Sequence, residues 1–454
     1  MSYNSKQQAY KLSTDVVSQI VEAVRQKKQN EFNRLFGSLH GADKADLLEQ
    51  ISRHERQQLI KLWGNAVEGS VLCELEPRIR DEILKEIDRK VLTELLKTLE
   101  TDNIVHLIED IVPHVQQELI DALPGRAKTA VKYALEYQAS SAGRLMQREI
   151  VSVPEHFNVG NAIDLMRSTK DLPNDFYEII VVDPKFHPKA VVPLGKLMAS
   201  KRDISLKDIS STAFRSIPVT QSQEDVAYAF NQYHMVSAPV INEDGRLVGV
   251  ITIDDAMSIL EDETEEDMKK MVGLGDEELS DSVMEIVRNR FPWLLANLLT
   301  AILASGVIAQ FATTIEALVA LAILMPIVAS MGGNAGTQTA TVAVRALATR
   351  DLTHSNTLRV IYREAVVGFL NGCIFSIIMA SVGFIWFQNF YLGIILGLAM
   401  IFNMVVAALS GILLPLGLTK AGIDPALSST VFLTTLTDIV GFFVFLGLAS
   451  WFLL

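Results

Sequence analysis

Residues 431–448 read VFLTTLTDIVGFFVFLGL. With its flanks this run is long and apolar enough to cross a hydrocarbon core, which takes about 20 residues for about 30 Å. One residue does not belong in oil. A carboxylate such as Asp438 costs at least about 2.5 kcal/mol at mid-bilayer on insertion scales. A neighbouring cation would relieve that cost, but no Lys or Arg lies inside any other apolar run of the chain. An ionisable group so placed marks a water-filled path or an ion site. Thr434, Thr435 and Thr437 add hydroxyls beside it. Asp424 lies 14 positions earlier, roughly 21 Å along a helix, and so marks the mouth of the same segment. With Pro425 next, Asp424 also suits a helix N-cap, and capping alone would account for it.

Upstream, four more stretches reach spanning length, near 291–311, 317–343, 364–388 and 392–417, and 427–452 makes five. Pro292 suits a first helical turn, and Trp293 and Trp386 suit membrane–water interfaces. The second stretch contains MPIVASMGGNAGTQTATVAVRALA, residues 325–348. Pro326 with Gly332, Gly333 and Gly336 predicts an irregular backbone, and Asn334, Thr337 and Gln338 offer neutral oxygens. Such backbone is tolerated at membrane depth only where protein buries it or water reaches it. Small residues in spans also serve as plain packing surfaces, but this density of proline, glycine and amides favours a pore or gate. Asn403 and the Leu414–Pro415 break in the fourth stretch are weaker members of the same set.

The loops set an orientation. The second-to-third loop holds Arg345, Arg350, Arg359 and Arg363, and the fourth-to-fifth holds Lys420. The other two loops hold neither Lys nor Arg. Positive-inside bias therefore places everything up to Arg290 in the cytosol and the C-terminus outside. The N-terminal MSYNSKQQAYKLS lacks the apolar run of a signal peptide, in agreement.

The ten charges beyond Arg290 cancel, so the whole net charge of −13 sits in residues 1–290. An acidic surface of this kind excludes nucleic acid as a partner and attracts cations. Cys73 and Cys373 fall in different modules, so no disulfide framework forms. Ligands available to an ion in the spans are oxygens only, since His354 is the last histidine. That donor set suits Mg2+, Ca2+ or Mn2+ rather than Zn2+ or Cu2+. One carboxylate per chain is a poor cage, but two related by dimer symmetry could hold a hydrated dication.

Residues 1–137 read as short amphipathic helices, among them ADLLEQI, RQQLIKLW, RDEILKEI and NIVHLIEDIV, with polar turns and prolines between them. Stacked helices of this kind predict an α-solenoid-like domain, with a plain bundle as the alternative. In residues 138–262 a strand–helix–strand–strand–helix pattern is written twice, with VSAPVINEDGRLVGVITIDDAMSIL in the second copy and a KFHPKA insertion in the first. Here the chain resembles paired CBS modules, regulatory units that respond to nucleotides or ions. From 261 to 290 a single helix pattern carries EDETEED and DEELSD. Such a run is often only a solvated face, but this one leads into a span.

Taken together, the CBS pair, RFPWLLANLLTA, PIVASMGGNAGTQTATVAVRALATRDL and GIDPALSSTVFLTTLTDIVG make the chain resemble the MgtE family of magnesium channels and transporters over nearly its full length. The resemblance implies a multidomain protein: an all-α superhelical N-domain (1–137), an α/β tandem CBS pair (138–262), an acidic connecting helix (263–290) and a five-helix α transmembrane pore domain (291–454). It implies a homodimer in the plasma membrane with one central Mg2+ pore and Asp438 matching the selectivity carboxylate; Asp424, Asn334, Gly332 and Gly333 join it as pore candidates on the residue pattern above. It further implies closure by cytosolic Mg2+ bound between N-domain, CBS pair and connecting helix, at Asp102, Glu224, Asp255, Glu263, Glu266 and Asp267. His106, His234 and Ser258 stand where that pattern has acids. ATP at the CBS pair is a further expectation, without residues to place it.

An intramembrane metalloprotease would need an HExxH-like motif in a span, where this chain has no histidine at all. An anion or organic-solute transporter is opposed by Asp438 and by the lack of any cation inside a span. An exporter and a Ca2+- or Mn2+-preferring relative stay open as alternatives.

Overall fold

The computed structural model describes residues 12–453 apart from 110, 170–171, 174–175, 276, 278–280, 354 and 428. The chain divides into two compact units, one up to Glu261 and one from Asp262 onward.

The first unit opens with a stack of short helices whose regularity exceeds what the sequence pattern suggested. Helices begin at Thr14, Gln29, Gly41, Arg53, Gly69, Pro77, Arg89, Thr101, Pro113 and Gly125, evenly spaced from Gln29 onward except that the short helix at Gly69 falls off the beat. Each start has a local cause. Ser52 and Glu55 form a capping box, Asp88 caps through the N–H of Lys90, and Pro77 and Pro113 sit in first turns where a missing N–H costs nothing. The apolar stripes of all these helices merge into one core running from Ile20 to Ala134. Successive hairpins are tied by buried guanidiniums at equivalent positions. Arg56 donates to the Leu48 and Ile51 carbonyls and to Glu82 at 2.9 Å. Arg80 holds the corresponding place one helix pair later and reaches His106 at 2.7 Å. His106 stands in turn where Glu82 stands in the preceding pair. The helical superstructure is thus a repeat of helix pairs, as a solenoid requires.

The two CBS copies have one topology. Strands β1 (Ser152–Pro154), β2 (Glu178–Val182) and β3 (Pro188–Pro193) form one sheet, and β4 (Ile217–Pro218), β5 (Ser237–Ile241) and β6 (Leu247–Thr252) the other. In each, the first pair is parallel, the second antiparallel, and the register slips at the matching place, Val181/Val182 and Val240/Ile241. Ile180, Val182 and Val191 pack with Leu247 and Val250, so the copies share apolar surface. Thr101 joins the helical stack to this pair, its hydroxyl donating to Glu149 at 2.8 Å.

In the second unit five helices have the length and composition to cross a membrane: Val283–Gln310, Ala320–Ala348, Thr357–Phe387, Phe390–Lys420 and Thr430–Leu453. The fourth is the most enclosed, with 61% of its apolar window buried against 6% for the first. It therefore lies at the centre of the unit, and the first leaves its apolar faces open, as lipid-facing surface does.

Three expectations about this half are corrected. The acidic stretch is not one helix over 261–290. A helix that begins at Ile253 ends at Met271, and Gly273 turns the chain at φ +76°. A second helix then starts afresh at the Ser282–Glu285 capping box. That second helix runs without a break into the first span, so Pro292 lies in its interior rather than in a first turn. The glycine-rich segment of the second span is not irregular, being helical from Ala320 to Ala348. Its glycines serve approach between helices: a Cβ at Gly332 would meet Asn403, one at Gly333 the Thr434 methyl, and one at Gly336 the Leu433 side chain at 2.9 Å.

Candidate ion pathway and sensor acids

Asp438 lies one third of the way along the fifth span, half-buried. Among the described residues no side chain donates to it and no cation pairs with it. The three hydroxyls nearby are turned to their own helix. Thr434 donates to the Thr430 and Val431 carbonyls, Thr435 to Val431 and Thr437 to Thr434. Their lone pairs remain free to accept, except that Thr437 is fully buried and so lies off any path. Asn334 is exposed, on the side of its helix turned away from the Gly332 and Gly333 packing contacts, and both glycines are buried.

Asp424 is not the N-cap of the fifth span, whose helix starts later, at Ser429. It makes a turn of its own: Oδ1 accepts from the Ala426 N–H at 2.8 Å and its carbonyl from the Leu427 N–H. That leaves Oδ2 directed at Lys270, 2.7 Å away. Lys270 also pairs with Glu266 one turn back on its own helix. Glu263, Glu266, Asp267 and Lys270 follow the i, i+3, i+4, i+7 rule and share one stripe. All four are half-buried, while Thr264, Glu265 and Met268 between them are exposed. Partial burial opposes the charge on Lys270, but the Asp424 and Glu266 carboxylates outweigh it and hold the ammonium above the usual lysine range. The end of this helix is further tied to the fifth span, since the Thr430 hydroxyl donates to the Met271 carbonyl. Sequence reasoning missed Lys270 because a Lys at i+4 from a Glu reads as ordinary helix-surface pairing.

In the first unit the structure brings Asp102 and Asp255 together electrostatically. Asp102 Oδ1 is out of reach of solvent and accepts no hydrogen bond. Burial, then the charge of Asp255, pushes the Asp102 carboxyl well above its ordinary range. Burial and the neighbouring Asp254 raise Asp255 to about 6, even though the Thr252 hydroxyl donates to it at 3.0 Å. Two carboxyls that resist ionisation together, one with an orphaned oxygen, are short of positive charge. Among the described residues no three acids or imidazoles converge into a ready metal cage, so water would have to complete the shell of any ion held there.

Glu224 is exposed in the first turn of the helix Gln223–Tyr233, and His234 closes the same helix in a left-handed conformation at φ 51°. Ser258 is exposed and donates to the Asp254 carbonyl of its own helix. His106 is the Arg80 partner described above, filling the repeat position that Glu82 fills one pair earlier.

A cavity of about 940 Å³ lies in the first unit, lined by Glu68, Lys90, Glu94, Glu100, Tyr177 and Asp254 among others. Its size suits a small-molecule ligand, and its walls carry more carboxylates than cations.

The sequence matches a divalent cation transporter family over residues 325–448, the MgtE intracellular N domain over 39–140 and a CBS domain over 206–262. It is 32% identical to a magnesium transporter MgtE of Thermus thermophilus across 94% of this chain and 96% of that protein. It is 26% identical to the Bacillus subtilis magnesium transporter MgtE across 97% and 98%. The fold is similar to the crystal structure of the cytosolic domain of the Mg2+ channel MgtE in complex with ATP. That match has 27% identity and a TM-score of 0.50, covering 54% of this chain and 99% of that one.

Proposed function

The chain belongs to the MgtE family of magnesium transporters, and on that footing we propose that it passes Mg2+ along a path that includes Asp438 and is closed by Mg2+ on the cytosolic side. The observation that carries the first part is Asp438 itself, a carboxylate in a span with no cation or donor beside it among the described residues. A passing dication supplies the missing charge. Mg2+ holds its water strongly, so a single carboxylate recognises the hydrated ion, and the carboxylate of a second copy across a dimer axis doubles the field. Asn334 is a neutral oxygen on the second span, exposed and away from the contacts with the fourth and fifth, and it belongs to the path only as a candidate, whereas Gly332 and Gly333 contribute by letting helices approach. With the arginine-bearing loops inside, the first unit faces the cytosol and the C-terminus lies outside.

Closure rests on the Asp102–Asp255 pair and on the acidic stripe. The orphaned Asp102 oxygen and an oxygen-only donor set fit a hard dication. An ion there relieves a charge conflict that exists only while the helical stack and the CBS pair are docked, so Mg2+ favours the docked form by its differential affinity. At the mouth, Lys270 already supplies one positive charge between Glu266 and Asp424, and Mg2+ on Glu263, Glu266 and Asp267 adds to that hold. ATP at the CBS pair belongs to the same reading, supported by the similar cytosolic domain in complex with ATP; the large cavity, with Glu68, Glu94, Glu100 and Asp254 set against Lys90, would admit a triphosphate only with its own Mg2+.

The test is uptake into proteoliposomes loaded with a Mg2+-sensitive dye, for the parent and Asp438→Asn. Loss of uptake in the variant with unchanged folding supports the reading, and equal uptake in both refutes it.

A further inference from the structure

Asn403 is 1% exposed in the middle of the fourth span. Its Nδ2 lies 2.7 Å from the Val328 carbonyl of the second span. An atom that close to a carbonyl oxygen must be the donor, which fixes the orientation of the amide. Oδ1 is left buried, with no donor among the described residues. In hydrocarbon surroundings such an orphan is costly, and a Leu of similar volume would avoid the cost altogether.

Two glycines are shaped around this amide. A Cβ on Gly332 of the second span would come within 2.3 Å of Nδ2, and one on Gly441 of the fifth span within 3.0 Å. Neither glycine has a positive φ, so neither is required by backbone conformation. Each is the space that the Asn403 side chain occupies. Gly441 lies one helical turn beyond Asp438, on the same side of the fifth span. Asn403 therefore sits where three spans meet, bonded to the second and packed against the turn of the fifth that carries the pathway carboxylate.

We infer that Asn403 is a positioning residue of the permeation path: its amide fixes the height of the second span's glycine segment against the Asp438 turn. The inference rests on the proposed path through Asp438. A van der Waals contact alone would allow the two spans to slide by part of a turn. The directional bond to Val328, with glycine on both flanks, admits one register. Register matters here because a carboxylate that recognises a hydrated ion discriminates by distance, and a shift of about 1 Å changes such recognition strongly.

The experiment compares full-length parent, Asn403→Leu, Asp438→Asn and the double variant Gly332→Ala/Asn403→Ala in proteoliposomes. It reads Mg2+, Ca2+ and Mn2+ uptake separately, along with the melting temperature in detergent. Asn403→Leu removes the bond and the orphan oxygen while filling the space. It should melt at or above the parent temperature yet lose roughly threefold to tenfold in Mg2+ uptake, the range of one buried hydrogen bond, with reduced preference for Mg2+ over Ca2+. The double variant moves a methyl group into the amide's place and should show the same altered preference, which covers the case in which the leucine variant does not fold. Parent-like rates and ion preference in the folded variants overturn the inference. If they do so while Asp438→Asn abolishes uptake, only the positioning role falls. If Asp438→Asn is also without effect, the path itself is misassigned.

Discussion

Substituting Asn for Asp255 tests the charge conflict in the first unit. The Asp255 carboxyl is raised from 3.8 to about 6, which at about 1.36 kcal/mol per pH unit corresponds to roughly 3 kcal/mol. The sign follows from the direction. Well below pH 4 the carboxyl is protonated folded or unfolded, and no penalty exists. As pH rises towards about 6 the folded form holds a proton that the unfolded chain has already given up, and by neutral pH the folded form too must ionise, at a cost in stability. At pH 7.5 without divalent cations the full penalty applies, and it loosens the β6 end and the helix that starts at Ile253. Asn keeps an acceptor for the Thr252 hydroxyl and carries no charge. Hydrogen exchange at residues 247–259 in the full-length protein should therefore slow by about a hundredfold in Asp255→Asn at pH 7.5, and converge with the parent below pH 4. Saturating Mg2+ should slow exchange in the parent and barely in the variant. Equal exchange in parent and variant at pH 7.5, with or without Mg2+, would mean that ionised Asp255 carries no such penalty.

Other outcomes follow from particular contacts. Lys270→Gln removes the ammonium between Glu266 and Asp424. Basal Mg2+ uptake at low internal Mg2+ should rise a few-fold, the scale of about 1 kcal/mol for a partly exposed pair, while high internal Mg2+ still closes the path. His106→Glu sets beside Arg80, at the repeat position that Glu82 fills one pair earlier, a carboxylate in place of an imidazole. Since hydrogen bonds to charged groups are worth about 1.5–3 kcal/mol, the variant should need more urea to unfold at pH 8. Gly411→Ala drives a Cβ to 2.6 Å from the Gly336 carbonyl. Overpacking of this kind costs about 1–3 kcal/mol, so its melting temperature in detergent should fall, and an unchanged value would argue against close packing of the second and fourth spans.

Sequence patterns located the spans to within a few residues of most ends because hydropathy is a strong, local signal. The CBS repeat was likewise legible, since a helical pattern followed by two short apolar runs, EIIVV with AVV and APVI with LVGVI, is written twice. Boundaries set by side chains were less so. The Ser282–Glu285 box outweighed Pro292 as the helix start because one missing hydrogen bond within a long helix is tolerated where spans and water re-satisfy it. The second-span glycines read as broken backbone, but what they answer to is Asn403, Thr434 and Leu433 on other helices, and partners distant in sequence leave no mark in a local pattern. The same holds for Asp424. Its neighbour Pro425 suggested a cap, whereas its charge is answered by Lys270, far upstream in the chain. The even rhythm of the helical stack was present in the sequence throughout, and counting helix starts rather than apolar stripes would have revealed it.

Whether a dication supplies the charge missing beside Asp438 can be seen with Mn2+, which takes the same oxygen ligands and scatters anomalously. Crystals of the full-length protein soaked in Mn2+ should show an anomalous peak within a water shell of the Asp438 carboxylate, displaced by Mg2+ in competition and missing from Asp438→Asn. A side chain turned to lipid with no peak near it, in crystals that hold Mn2+ elsewhere, would mean that the ion does not pass Asp438.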